Sequence, residues 1–173
     1  MRKILAGLLL FFPVASFAQA WKSFNKADIL FTAKYPADWA NKIKEGKRVF
    51  FTSPAEGESD DFRQNVNVSV SSDPQYGSSL KIKDVIQEII DQVKLSFNEF
   101  NEESRTPMKW NGIDAYEITY SGITKTDGIS ARITQRLCFY KTRLYLATYT
   151  ALKAIDVYAA VALQIINSIK FKP

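Results

Sequence analysis

Two arginines at alternate positions form the polar group best placed to bind a partner. In the run ARITQR, Arg132, Thr134 and Arg136 would lie on one face if the segment is a strand. Guanidinium groups on one surface can bind a carboxylate or a phosphate. The alternative is that they pair with Glu117 or other acids on neighbouring strands. These three residues are therefore candidate binding residues, without a catalytic role.

The chain contains no histidine. This removes the commonest general base, the Ser-His and Cys-His pairs and the commonest transition-metal ligand. Cys138 is the only cysteine, so an internal disulfide is excluded. Arg136 on the same face could favour the Cys138 thiolate, whereas the apolar neighbours Leu137 and Phe139 favour an inert, packed thiol. We predict no enzymatic activity, no metal and no cofactor.

Two charged segments have alternative interpretations. The densest carboxylate group comprises Glu56, Glu58, Asp60 and Asp61. It could bind calcium, but it lacks the spacing of an EF-hand loop, and a solvated acidic loop is favoured. The second segment contains Lys42, Lys44, Lys47 and Arg48. It could contact anionic envelope polymers, or it could simply be a solvated connection.

The segment YPADW combines two large aromatic residues around a proline. A strand ending at Tyr35 fits the extended geometry that Pro36 imposes on the residue before it. Tyr35 and Trp39 could form an aromatic ligand platform. We favour a corner of the core, because large aromatic side chains are more often buried than exposed at a site.

Periodicity predicts the elements that position these residues. Val66, Val68 and Val70 alternate with polar residues, as in a strand with one buried face. Helical spacing follows from Ile82 to Phe97 and again from Ile155 to Ile169. Between these helices, four strand-like runs are separated by Asn111-Gly112, a loop ending at Asp127-Gly128, and Lys141-Thr142. Asn-Gly is typical of a tight hairpin turn.

The predicted order is β-β-β-α-β-β-β-β-α. This order favours an α+β fold with a central antiparallel sheet of about six or seven strands flanked by two main helices, an α/β/α sandwich. The run LYLATYTA is apolar on both faces, as expected of a central strand. The run ISARITQRLCFY is polar on the face of Arg132 and Arg136, so we expect that face to be open or only partly covered.

The N-terminus has the pattern of an export signal. Arg2 and Lys3 precede an apolar run, and Ala18-Gln19-Ala20 forms a small-x-small cleavage site. We predict a signal peptide over residues 1–20 and a single domain over residues 21–173. No cysteine stands at or near the predicted cleavage site, and no later apolar run is long enough to span a membrane. These features predict a soluble extracytoplasmic protein, periplasmic or secreted, without a lipid anchor or membrane span.

The formal net charge is small for a nucleic-acid-binding protein. It is +5 for the whole chain and falls to +3 when Arg2 and Lys3 are removed with the signal peptide. This excess is too small to indicate nucleic acid as a partner.

Several motifs together resemble the PsbP-like family. They are YPADW at the end of the first strand, VNVSVSS before the helix, WNGIDAYEITYSG, the TQRLCFYKTRLYLATYTA hairpin, and a last helix leading into INSIKF. The resemblance implies an antiparallel sheet between helices, and members that bind a partner or assist an assembly rather than catalyse. No metal-binding or docking residue of the photosystem protein PsbP matches a position here.

The leading hypothesis is a non-catalytic binding or assembly-accessory protein whose partner is another envelope protein. Its interaction surface would be the sheet face near Arg132 and Arg136 or the loop from Glu56 to Asp61. The alternative is a carrier of a small apolar or aromatic ligand, held in a pocket between the sheet and a helix.

Overall fold

The computed structural model of the chain describes residues 19–57 and 61–172. The predicted signal peptide lies outside the described residues, apart from Gln19 and Ala20. The strands are β1 (Trp21–Asn25), β2 (Phe31–Pro36), β3 (Ala40–Ile43), β4 (Val49–Thr52), β5 (Asn65–Ser72), β6 (Phe97–Trp110), β7 (Ile113–Thr124), β8 (Ser130–Tyr140), β9 (Arg143–Leu152) and β10 (Lys170–Phe171). The α-helices are α1 (Ile82–Lys94) and α2 (Ala159–Ser168).

Seven strands form one antiparallel sheet in the order β3-β4-β5-β9-β8-β7-β6. This confirms the α+β prediction of a central antiparallel sheet with two main helices. The strand β9 occupies the middle position, as its apolar residues on both faces indicated. The Asn111-Gly112 hairpin is also confirmed, since both residues have the positive φ angles, 52° and 81°, that a two-residue turn favours.

A second sheet, in the order β1-β2-β10, was not predicted. The strands β1 and β10 are short, and both pair with β2, whose Phe31 is fully buried. Together with α2, this small sheet covers one face of the large sheet. The buried residues there include Val66 and Val68 of β5, which confirms the inward face predicted for that strand.

The helix α1 covers part of the opposite face of the large sheet. Its buried residues Ile82, Ile86 and Ile90 pack on side chains of β7 and β8. The predicted helix continued to Phe97, but the chain leaves the helix after Lys94 and Phe97 begins β6. Likewise α2 begins at Ala159 rather than at Ile155. Neither described helix is long and apolar enough to cross a membrane.

The face of β8 that carries the arginines is not open, although at Arg132, whose side chain is 36% exposed, it is only partly covered. Arg136 is only 5% exposed, because α2 lies over this face and its Asn167 accepts a hydrogen bond from Arg136. Thr134 is buried as well and shares a hydrogen bond with Thr119 of the neighbouring β7. Alternating polar residues indicated an exposed face, but here the polar groups are satisfied inside the fold.

The unpredicted small sheet is part of the core, which a substitution can test. Phe31→Ala removes a fully buried ring and should lower the free energy of unfolding by about 3–5 kcal/mol. The control Leu95→Ala removes a largely exposed side chain and should change it by no more than about 0.5 kcal/mol. Urea unfolding followed by circular dichroism measures both. Equal effects would show that the small sheet does not contribute to the core.

Candidate functional site on the uncovered sheet face

The α1 side of the large sheet is covered over only part of its width. The helix packs against β6 and β7, and its apolar cluster extends to β8. Neither of the two described α-helices lies over the same side of β3, β4 and β5; a 3-10 turn, Glu45–Lys47, borders it. We call this region the uncovered face.

Strand register places a row of side chains across the uncovered face. From the sheet edge inward, Lys42 pairs with Phe50, Phe50 with Asn67, and Asn67 with Thr148. Directly paired residues of antiparallel strands point to the same side. The row therefore runs from a cation through an aromatic ring to amide and hydroxyl groups.

Lys42 and Phe50 of this row line a shallow groove of about 960 Å³. Its lining includes Phe50, Leu144 and Leu146, which are each partly exposed. The two leucines also pack against the apolar cluster of α1, so they join the groove to the core. The groove thus has an apolar floor beside a polar sheet surface.

Cations form one rim of the groove. Lys42, Lys44 and Arg48 are exposed, and none of them forms an ion pair among the described residues. The Lys44 ammonium lies 4.4 Å from the centre of the Phe50 ring, a cation–π contact. Glu45 is the one acid among the lining residues. The rim therefore has an excess of positive charge available for a carboxylate or another anion on a partner.

The rim is held in place by the tight connection between β3 and β4. Gly46 and Lys47 both have positive φ, 68° and 59°, which reverses the chain direction within a few residues. The Lys44 amide donates to the Arg48 carbonyl at 2.9 Å and continues the β3–β4 pairing beyond the strand ends. Lys44 and Arg48 are thereby fixed opposite each other on neighbouring strands.

The sequence identified the basic segment but not this site. From the sequence, residues 42–48 are interpreted as a connection, because the segment that forms β3 has no apolar periodicity and none of its residues is buried. The available signal was the alternation of Lys42 and Lys44 with Asn41 and Ile43, which places the two lysines on one side of a strand. Their proximity to Leu144 and Leu146 depends on long-range pairing that periodicity does not reveal.

Arg136, a predicted binding residue, is paired within the chain. Its Nη2 lies 2.6 Å from a carboxylate oxygen of Glu117, and its Nη1 donates to Asn167 Oδ1 at 2.7 Å. The guanidinium carbon also lies 5.8 Å from the centre of the Trp110 ring. The alternative interpretation from the sequence, a pair with Glu117, is present. Arg136 ties β8 to β7 and α2.

Arg132 is the more accessible of the two arginines, and it too is paired. Its Nε lies 2.8 Å from Glu103, and its Nη1 lies 3.1 Å from Asp156. Burial raises the pKa of Glu103, but the hydrogen bond and charge of Arg132 outweigh it and hold that pKa below its usual value. Asp156 also contacts the Tyr149 hydroxyl group. Arg132 therefore joins β6 and β8 to the segment before α2.

Cys138 is fully buried in the core beneath the small sheet. Burial in apolar surroundings raises the pKa of its thiol to about 12. The thiolate is thus disfavoured at neutral pH, and the side chain is an inert, packed group. The neighbouring charge of Arg136 does not reverse this effect.

Tyr35 and Trp39 form a corner of the core, as predicted. Both are buried, Tyr35 against Phe51 and Trp39 against Tyr158. The ring centres are 5.0 Å and 5.5 Å apart, respectively. Neither ring is available as a ligand platform.

The acidic loop is only partly described, since residues 58–60 lie outside the described ranges. Glu56 accepts a hydrogen bond from Gln64, which is buried at the end of the loop. Within the described residues, no group of three or more acids or cysteines is arranged to hold a metal ion.

Comparison with known protein families shows which family this chain belongs to. A family model described as "PsbP-like protein" matches residues 16–171, nearly the whole chain. The chain belongs to the PsbP-like family. This confirms the resemblance drawn from the sequence motifs. None of the curated proteins matches the chain.

Several solved structures share the fold of this chain at low sequence identity. The chain matches the solution structure of cyanobacterial PsbP from Synechocystis at 13% identity and a TM-score of 0.63, covering 94% of this chain and 98% of that one. It matches LpqN of Mycobacterium tuberculosis, which is described as involved in cell envelope biogenesis, at 12% identity and a TM-score of 0.65 over 89% and 91%. A Bacteroides thetaiotaomicron protein matches at 17% identity and a TM-score of 0.60. The match covers 88% of this chain but only 48% of the Bacteroides protein, so this chain spans about half of its length.

If Arg136 has a structural role rather than a binding role, loss of its pair with Glu117 should lower the stability of the fold. Arg136→Met alone leaves the partly exposed Glu117 without its partner and should destabilise the fold by about 2–3 kcal/mol. Adding Glu117→Gln should recover a large part of this loss, because the unpaired charge is then removed. Thermal and urea unfolding of both single variants and the double variant measure the coupling. Additive effects would contradict the structural role of the pair.

Proposed function

We propose that this PsbP-like protein is a non-catalytic, extracytoplasmic binding or assembly-accessory protein. It binds an acidic segment of another envelope protein at the groove of the uncovered face. The observation that carries this proposal is the combination of three rim cations, which form no ion pair among the described residues, with partly exposed apolar side chains on an uncovered part of the sheet. Elsewhere on the sheet, the charges of Arg132 and Arg136 are neutralised by carboxylates of the same chain.

The groove has the chemistry of a protein interface. Phe50, Leu144 and Leu146 offer apolar area that association would remove from water. The surrounding cations favour partners of opposite charge and steer their approach. Ser69 and Ser71 supply hydrogen-bonding groups in the groove lining. An acidic segment with one or two apolar side chains satisfies all three features.

Two observations support a binding role rather than catalysis. The chain has no histidine, and its single cysteine is buried with a raised thiol pKa. Two partly buried carboxylates, Glu103 and Asp156, could in principle transfer protons, but both are paired with Arg132. An accessible nucleophile with an adjacent base is not found among the described residues.

The extracytoplasmic location rests on the N-terminal sequence pattern and on the family. An apolar run with a small-x-small cleavage site precedes the domain. Within the same fold, LpqN is described as a protein of cell envelope biogenesis. A periplasmic or secreted accessory protein fits both observations.

Charge reversal on the groove rim tests the proposal. In Lys42→Glu/Lys44→Glu/Arg48→Glu, the rim repels an acidic partner, so crosslinks from a photoreactive amino acid at position 50 to envelope proteins in intact cells should be lost. The free energy of unfolding should change by less than about 1 kcal/mol, because these side chains are exposed. Mass spectrometry of the crosslinked partner should identify an acidic contact segment.

The matched control is Lys83→Glu/Lys94→Glu/Lys125→Glu, which makes the same change in net charge at exposed positions outside the groove. Crosslinks should persist in this variant. Equal loss in both variants would indicate a general charge effect, and unchanged crosslinking after rim reversal would refute the proposal.

A second candidate function is supported by a separate pocket. A cavity of about 630 Å³ lies between the start of α1 and the β6–β7 hairpin, lined by Ile82, Pro107, Tyr116 and Phe139 among others. This is the position between sheet and helix in which an apolar or aromatic ligand was expected. The pocket is partly open, and Lys81, Lys83 and Lys109 also line it.

Native mass spectrometry of protein purified from its own host tests this carrier function. A carrier should retain a small molecule, and Ile82→Trp, which fills the pocket, should abolish the added mass. A protein that engages only a protein partner should have the mass of the processed chain alone, with and without the substitution.

A further inference from the structure

The outer strand of the uncovered face is a free, regular sheet edge. The strand β3 pairs only with β4, and all four of its residues are exposed. Its register with β4 continues without interruption from Ala40 to Ile43. A sheet edge of this kind presents unpaired backbone N–H and C=O groups to a strand of another chain.

The other edge of the large sheet is protected. The register of β6 with β7 is shifted between Asn98 and Asn101 and again between Glu102 and Ser104. β6 also contains Pro107, which cannot donate to a further strand. Irregular pairing and proline are the usual means by which a protein prevents strand addition. β3 has neither of them.

Hydrogen-bond alternation identifies the groups that point outward. The Lys44 amide bonds to the Arg48 carbonyl, so Lys44 belongs to the set of residues that bond across to β4. In antiparallel pairs every second residue belongs to this set, which here includes Lys42 and Ala40. Asn41 and Ile43 therefore direct their backbone N–H and C=O groups away from the sheet.

We propose that β3 recruits the partner by strand addition, so that an acidic extended segment of an envelope protein becomes the next strand of the sheet. This inference rests on the proposed function and specifies the form of its ligand. Neighbouring strands lie about 4.8 Å apart, which places side chains of the added strand within ion-pair reach of Lys42 and Lys44. The two lysines are two positions apart, so they fit a segment with an acid at every second position.

The side chains of the added strand would then divide between two surroundings. The acids lie on the side of the groove, beside Lys42 and Lys44. The intervening side chains lie on the other side, beside Ile43, which is 40% exposed. An alternating acidic and apolar segment satisfies both sides. The backbone bonds supply affinity, and the alternation supplies specificity.

The test uses a synthetic peptide of about seven residues with alternating Glu and Val, capped at both ends. Its affinity for the purified protein is measured by isothermal titration calorimetry. The comparison peptide carries N-methyl groups on the amides that would donate to β3, with the same charge and side chains. We expect the methylated peptide to bind about tenfold more weakly. A nuclear magnetic resonance titration should show the largest amide shifts at Asn41 and Ile43 with the unmodified peptide.

Ile43→Pro removes one outward donor without removing a bond to β4. It should weaken peptide binding about tenfold, whereas the control Ile43→Val, which keeps the N–H group, should bind like the wild type. If Ile43→Pro disturbs the fold, the pair of peptides and the amide shifts decide the question in the unaltered protein.

The outcomes distinguish this inference from the proposed function. If both peptides bind equally and rim charge reversal abolishes that binding, the cationic groove is the site and strand addition is wrong. If neither peptide binds the wild-type protein, an acidic strand is not the ligand and the inference also fails. Loss of binding on N-methylation and in Ile43→Pro, but not in Ile43→Val, supports it.

Discussion

A single helix cannot cover one face of a seven-stranded sheet. With strands about 4.8 Å apart the sheet is about 30 Å wide, whereas a helix with its side chains is about 10 Å across. On one face this limit is overcome, because α2 and the small sheet β1-β2-β10 lie side by side. On the other face α1 covers only the region of β6, β7 and β8. The uncovered face, with its groove and basic rim, follows from this difference.

The same types of side chain have different roles on the two faces. Arg136 is buried beneath α2 and Arg132 is partly buried on the same face of β8, and each has a carboxylate partner. Lys42, Lys44 and Arg48 lie in water, where pairing is not required, and they remain available. The charge pattern of the sequence therefore indicates arginines that are already paired. The cations that form no ion pair among the described residues lie on the opposite side of the sheet.

The sequence predicted those parts of the fold whose pattern is local. The valines of β5, the stripe of α1 and the Asn111-Gly112 turn each carry a periodic or turn signal, and all three are confirmed except for the end of the helix, which stops before Phe97. The strands β1, β3 and β10 are short and carry no periodic signal of their own. They form because they pair with β2 or β4, and such long-range pairing cannot be read from the local sequence. For β8, alternation alone does not distinguish a face exposed to water from one whose charges are paired with carboxylates of the same fold. The groove was missed for the same reason, since strand order determines it.

The most direct measurement of the central claim is carbene footprinting of the protein in its native envelope and after purification. If the uncovered face is an occupied interface, labelling of Phe50, Leu144 and Leu146 should be high in the purified protein and strongly reduced in the envelope. The exposed apolar residues Leu95 and Val157, which lie outside the groove, should be labelled equally in both states. Equal labelling of the groove residues in both states would contradict the account.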